Sequence, residues 1–105
     1  MNDRKEILLL IKKTVRMTEP DAVIILYGSY ARGDHDKESD IDLLILLNKE
    51  KVTSEDERKV KYPLYDIEFN TGQIISPLVI TKKQWESRFR ITPFFEEVTR
   101  EGIVL

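Results

Sequence analysis

The chain has 105 residues, enough for one domain and too few for two cores of ordinary size. Hydrophobic residues make up 41% and charged residues 34%, a balance that excludes wholesale disorder and suits a globular protein. The net charge is −2, from 17 basic and 19 acidic residues, which speaks against a protein that coats DNA or RNA.

From Asp3 to about Met17, Ile7, Leu8, Ile11 and Val15 fall on one face of a helix, with Lys5, Lys12, Lys13 and Arg16 toward water. Asp3 is placed to cap its start and Glu6 to complete a capping box. Pro20 closes the element. Ala22 to Tyr27 is a continuous β-favouring run, suited to a strand covered on both faces. Gly28 to Gly33 reads as a turn with a short helical turn, and Asp34 to Ser39 as a polar loop in which His35 is solvated. Asp40 to Leu47 is a second strand, apolar except for Asp40 and Asp42, which point to the same face because side chains alternate along a strand.

Ser54 with Glu57 predicts a capping box and a helix onset. Val60, Leu64 and Ile67 continue at helical spacing, with Pro63 expected to kink or restart the helix. The rival reading makes Leu64 to Phe69 a strand with Asp66 and Glu68 on one face. Thr71-Gly72 ends the helix in the favoured reading. Asp56, Glu57, Arg58 and Lys59 read as plain surface charge. Ile74 to Ile80 is a third strand, where Pro77 suggests an edge or a bulge. Thr81 caps a helix running through Arg90, and Phe94, Phe95, Val98 and Ile103 supply the apolar face of a short last helix. Trp85, Phe89, Phe94 and Phe95 read as core or interface aromatics. Lys82, Lys83, Arg88 and Arg90 read as a solvated helix face. The element order is α-β-α-β-α-β-α, a small α/β or α+β sandwich with one sheet.

With no cysteine and a single histidine, any metal must be held by oxygen, which points to Mg²⁺, Mn²⁺ or Ca²⁺. The polar start of the chain does not read as a signal peptide. The apolar runs fall far short of the roughly 18–20 residues that span a bilayer. A cytoplasmic protein without membrane association is expected. At this size, a partner or self-association is expected to supplement stability.

One constellation carries chemistry. A strand ends in Gly28-Ser29, ten residues follow, and Asp40-Ile41-Asp42 opens the next strand. Glycine lets a phosphate approach the backbone, and Ser29 offers a hydroxyl beside the first amides of a helical turn. Two carboxylates roughly 6–7 Å apart along a strand repel one another, and a divalent cation relieves that repulsion. A cation opposite the Gly-Ser turn would bridge a triphosphate and polarise its α-phosphorus.

Tyr27-Gly28-Ser29-Tyr30-Ala31-Arg32-Gly33 followed by Ser39-Asp40-Ile41-Asp42-Leu43 resembles the signature of the DNA polymerase β-like nucleotidyltransferase superfamily, and most of all its minimal nucleotidyltransferase branch. The resemblance implies that superfamily's fold, a single small mixed sheet packed with helices. It also implies transfer of a nucleoside monophosphate from an NTP, commonly ATP, to an acceptor hydroxyl. Asp40 and Asp42 would ligate two Mg²⁺ ions, and Gly28 and Ser29 would hold the β and γ phosphates. Arg32 and Ser39 would lie near the nucleotide, Arg32 having a structural ion-pair role as its alternative. Members related to this branch commonly pair with a helical HEPN-domain protein as the antitoxin of a toxin–antitoxin module, which implies a protein acceptor.

The resemblance further implies a third carboxylate on a later strand. By element order that strand is Ile74 to Ile80, which contains no acid, and Ser76 stands where an aspartate is expected. Asp66 or Glu68 serves only if Leu64 to Phe69 is the strand in question. A nucleotide- or partner-binding module that neutralises a toxin by binding alone is the second expectation.

Overall fold

A computed structural model describes residues 3–34, 36 and 39–105, so His35 lies outside the described residues. The first helix, α1, spans Arg4–Thr18, and Asp3 caps it by accepting the Glu6 amide at 2.8 Å. It buries Ile7, Ile11 and Val15, one face of the predicted periodicity. Strand β1 (Val23–Tyr27) follows, then the four-residue helix α2 (Ser29–Arg32), then β2 (Ile41–Leu47).

Ser54–Thr71 forms α3, an unbroken helix that carries Pro63 within it. The rival strand over Leu64 to Phe69 is thereby excluded, and no restart occurs at Pro63. Proline removes the donor for the carbonyl of Lys59, but Lys59 is exposed, so water can take the place of the missing bond. Gly72 ends α3 in the left-handed conformation, as its position predicts. The cap itself lies one residue before the expected one. Thr53 Oγ1 accepts the Asp56 amide at 3.1 Å, and Asp56 Oδ2 accepts the Thr53 amide at 3.0 Å. Asp56 is therefore not plain surface charge. Its other oxygen binds Lys49 Nζ at 2.8 Å, and the same ammonium meets Glu19 at 2.9 Å, clipping the ends of α1 and β2 to the start of α3.

This cap has a measurable signature. The Lys49 hydrogen bond, followed by the Thr53 amide, lowers the Asp56 carboxyl from 3.8 to about 2. A depressed acid stabilises the fold above its unfolded pKa, and that contribution disappears as pH falls through the folded value. Thr53→Ala is expected to cost about 1 kcal/mol in urea unfolding at neutral pH. The gap between the variant and the parent should narrow as pH is lowered from 5 toward 2. A gap that is constant with pH would separate Thr53 from the Asp56 carboxylate.

Strand β3 (Ile75–Thr81) leads into α4 (Lys82–Ser87), capped by Thr81 through a box with Gln84. This helix stops short of the expected Arg90. A fifth helix, α5 (Pro93–Glu101), is capped by Thr92, and a two-residue strand β4 (Ile103–Val104) follows it. Ile103 is thus a strand residue paired with Leu26, and not part of the last helix's apolar face.

The four strands lie in the order β3-β2-β1-β4. β1 is antiparallel to both β2 and β4, while β2 and β3 are parallel and joined by α3. Pro77 sits in β3, an outer strand, where a missing N–H is tolerated. β2 is central and separates two cores. Ile41, Leu43, Ile45 and Leu47 pack with the apolar faces of α1 and α3, whereas Leu44 and Leu46 pack with Trp85 of α4 and Val98 of α5. Phe89, Phe94 and Phe95 join the second cluster, with the Trp85 and Phe95 rings 4.7 Å apart, so these aromatics are core. No helix among the described residues is long and apolar enough to cross a membrane.

Candidate functional site

Strand parity aims the two aspartates. Leu44 and Leu46 face α4 and α5, so Asp42 and Asp40, two and four residues earlier, belong to that same side, beyond the edge of the aromatic core. The β1–β2 ladder places Tyr27 opposite Asp42, and the chain turns away from β1 at the very next residue, Gly28. Gly28 has φ 75° and ψ −157°, a backbone region essentially restricted to glycine. A Cβ there would collide with Asp42 Oδ2 and stand 3.3 Å from Asp42 Cγ. The predicted phosphate turn is therefore packed directly against Asp42, one member of the predicted carboxylate pair.

Ser29 opens α2, with its carbonyl accepting the amides of Gly33 at 3.0 Å and Asp34 at 3.2 Å. Tyr30 is buried beneath this turn; Arg4 donates to its carbonyl at 2.7 Å and lies over its ring. Gln73, in the connector between α3 and β3, accepts the Tyr30 hydroxyl at 2.5 Å and donates to the Ser39 carbonyl at 2.7 Å. One amide side chain thus ties the α2 turn to the segment leading into Asp40. The Ser39 hydroxyl accepts the Asp36 amide at 2.9 Å, which makes Ser39 a shaper of the loop.

The two aspartates are coupled electrostatically. Burial, then the neighbouring Asp40 charge, pushes the Asp42 carboxyl up, with Arg32 opposing them. The Tyr27 phenol is also raised, by burial first, then by Asp42 and Glu97. Arg32 does not neutralise the pair directly. Its guanidinium meets Asp34 and Glu101 at 3.2 Å each and Glu97 at 3.9 Å, bridging α2 to α5. Of its two expected roles, the ion-pair one is what this geometry displays.

A desolvated carboxylate beside a like charge is the environment a divalent cation stabilises, and oxygen donors suit Mg²⁺ or Mn²⁺. The pair Asp40 and Asp42 fits one such ion. Among the described residues no group of three or more His, Asp or Glu side chains is arranged to hold a metal. Asp66 is exposed on α3, and Glu68 Oε1 accepts the Ile75 amide at 2.8 Å, so neither joins the pair. On β3 the residue in register with Asp42 is Ser76, whose hydroxyl donates to Asp40 Oδ2 at 3.1 Å. Gln73, Glu97 and Glu101 carry no sequence signal for a site, since their partners lie on distant elements.

Residues 8–98 match the family model described as a nucleotidyltransferase domain. The chain belongs to the nucleotidyltransferase family. This nucleotidyltransferase is 40% identical over 106 residues to "Putative protein adenylyltransferase MJ0141" of Methanocaldococcus jannaschii, covering 93% of the chain and 94% of that protein. It is 74% identical over 23 residues to "Putative protein adenylyltransferase MJ0604" of the same organism, 22% of this chain and 23% of the other. Among solved structures it superposes on a chain in "Crystal structure of the toxin-antitoxin with AMP-PNP" with a TM-score of 0.63 at 16% identity, covering 97% of this nucleotidyltransferase and 72% of that chain. At that identity the likeness is one of fold, and the mixed four-stranded sheet agrees with it.

Proposed function

We propose that residues 1–105 act as one minimal nucleotidyltransferase domain that moves AMP from ATP onto a hydroxyl of a protein partner in the cytoplasm. The observation that carries this proposal is the contact of the Gly28 turn with the Asp42 carboxylate, with Asp40 beside it. The bare Cα of Gly28 and the first-turn amide and hydroxyl of Ser29 receive the β and γ phosphates. Asp40 and Asp42 hold one Mg²⁺, or Mn²⁺ in its place. That ion, when bound, supplies Lewis-acid polarisation at the α-phosphorus. Arg32 contributes from the rim, and Ser39 through the shape of the loop it closes. The acceptor oxygen bonds to the α-phosphorus, the bond to the β-phosphate oxygen breaks, pyrophosphate leaves, and the hydroxyl proton passes to solvent.

The adenylyltransferase name of the relatives and the AMP-PNP of the structural neighbour support ATP as donor and protein as acceptor. The toxin–antitoxin context of that neighbour supports an antitoxin role; the helical HEPN-domain toxin is named as the partner on the sequence resemblance alone. The test is incubation with that partner and ATP labelled at either the α or the γ phosphate. Label on the partner from α-labelled ATP alone is expected. Transfer of γ label would mean phosphoryl transfer instead, and no label from either donor would remove the enzymatic proposal.

The serine at the β3 position level with Asp42 favours a second reading, neutralisation of the toxin by binding. If the double variant Asp40→Asn/Asp42→Asn still protects cells from the toxin as well as the parent does, that second reading takes precedence.

A further inference from the structure

Several bonds converge at the start of β3. The Ile75 amide donates to Glu68 Oε1 at 2.8 Å, and the Ile41 amide donates to the Ile74 carbonyl at 2.8 Å. Gln73 Nε2 adds a bond to the Ser39 carbonyl at 2.7 Å. Together they pin the first residues of β3 against the segment that carries Asp40, and the next residue on the strand is Ser76. Its hydroxyl donates to Asp40 Oδ2 at 3.1 Å, while its ladder partner is Asp42.

We propose that Ser76 is a positioning residue for cation binding, holding Asp40 in the orientation in which it and Asp42 share one ion. A carboxylate next to a like charge lowers its energy by rotating away, and the chain needs an opposing restraint to keep the two together. The Ser76 bond is that restraint. It occupies one lone pair of Oδ2 and leaves Oδ1 as the oxygen with full capacity for a cation. The strand fixes where the hydroxyl stands, so Asp40 loses little further freedom when the ion arrives. Partners of this kind, which touch a ligand and not the metal, typically change metal affinity by about 10–100-fold when removed. Glu68 acts one step further out, since it anchors the amide that precedes Ser76. The inference rests on Asp40 and Asp42 being the cation ligands.

The experiment is a titration of the protein with Mn²⁺ alone, without nucleotide, following free Mn²⁺ by electron paramagnetic resonance. Ser76→Ala is compared with the isosteric pair Ser76→Thr and Ser76→Val, which differ in the hydroxyl and both suit a strand. Thermal melts in chelator accompany each titration. Mn²⁺ binding about 10–100-fold weaker in Ser76→Ala, at a melting point close to the parent's, is the expected result. Ser76→Thr should restore the affinity and Ser76→Val should not, and this comparison decides the matter even if the alanine variant fails to fold. Equal affinity in all four proteins would overturn the positioning role while leaving the metal site standing. Failure of the parent itself to bind Mn²⁺ would overturn the metal site and the inference with it.

Discussion

Gly28→Ala is expected to abolish nucleotide binding and to destabilise the fold, through two effects that act at one atom. At φ 75° and ψ −157° the backbone of residue 28 occupies a region open essentially to glycine alone, and a side chain there costs about 1–3 kcal/mol. The new methyl group would also collide with Asp42 Oδ2, so either the turn or the carboxylate must move. Gly72 supplies the control. It has φ 75° as well, yet a Cβ built on it meets nothing within 4 Å. Gly72→Ala should therefore lower stability by roughly 1–2 kcal/mol, the strain of a left-handed residue, and leave ATP binding intact. Urea melts together with ATP titrations on the two variants separate the backbone effect from the collision. Normal ATP binding by Gly28→Ala would contradict the placement of phosphates at this turn.

The double variant Asp40→Asn/Asp42→Asn is expected to move activity and stability in opposite directions. AMP transfer should fall by about three orders of magnitude, the several kcal/mol that a Lewis acid contributes to a transition state. The metal-free fold, in contrast, should melt higher than the parent. Burial and the adjacent Asp40 charge raise the Asp42 carboxyl, so the ionised form is held against a cost. For an acid raised in the folded state, stability is greatest while the group is protonated and is lost as pH rises through its folded pKa. The parent without metal should therefore gain stability on mild acidification through that range, and the double variant should show less of this gain. A melt that falls in the double variant would mean the aspartates hold the fold together and are not a destabilising functional pair.

How far these features can be read from the sequence depends on the range of the interaction that creates them. Asp40 and Asp42 are readable because strand alternation alone puts them on one side, and Gly28 because it interrupts a β-favouring run. The Thr81 cap is also local, three residues from Gln84. The cap of α3 shows the limit of local pattern. Ser54 with Glu57 fits the Ser/Thr-x-x-Glu/Gln pattern, yet the box forms one residue earlier from Thr53 and Asp56, whose carboxylate also takes the Lys49 ammonium. Strand β4 is beyond such patterns altogether. Two residues carry no period, and Ile103 and Val104 become a strand only because α5 delivers them to the edge of β1. Likewise Gln73 bonds side chains and carbonyls 43 and 34 residues away, and Arg32 meets Glu101 across 69 residues. The bond from Ser76 to Asp40 spans 36 residues and follows from parallel register, which neither segment specifies by itself.

The most direct measurement is calorimetric titration of ATP into the protein, with and without Mg²⁺, repeated on Asp40→Asn/Asp42→Asn. Binding that requires Mg²⁺ and disappears in the double variant is the predicted result, since it would put the nucleotide on the Gly28 turn and the cation on the aspartate pair. Binding that the double variant retains, or the absence of binding by the parent in either condition, would contradict a nucleotide site at that turn.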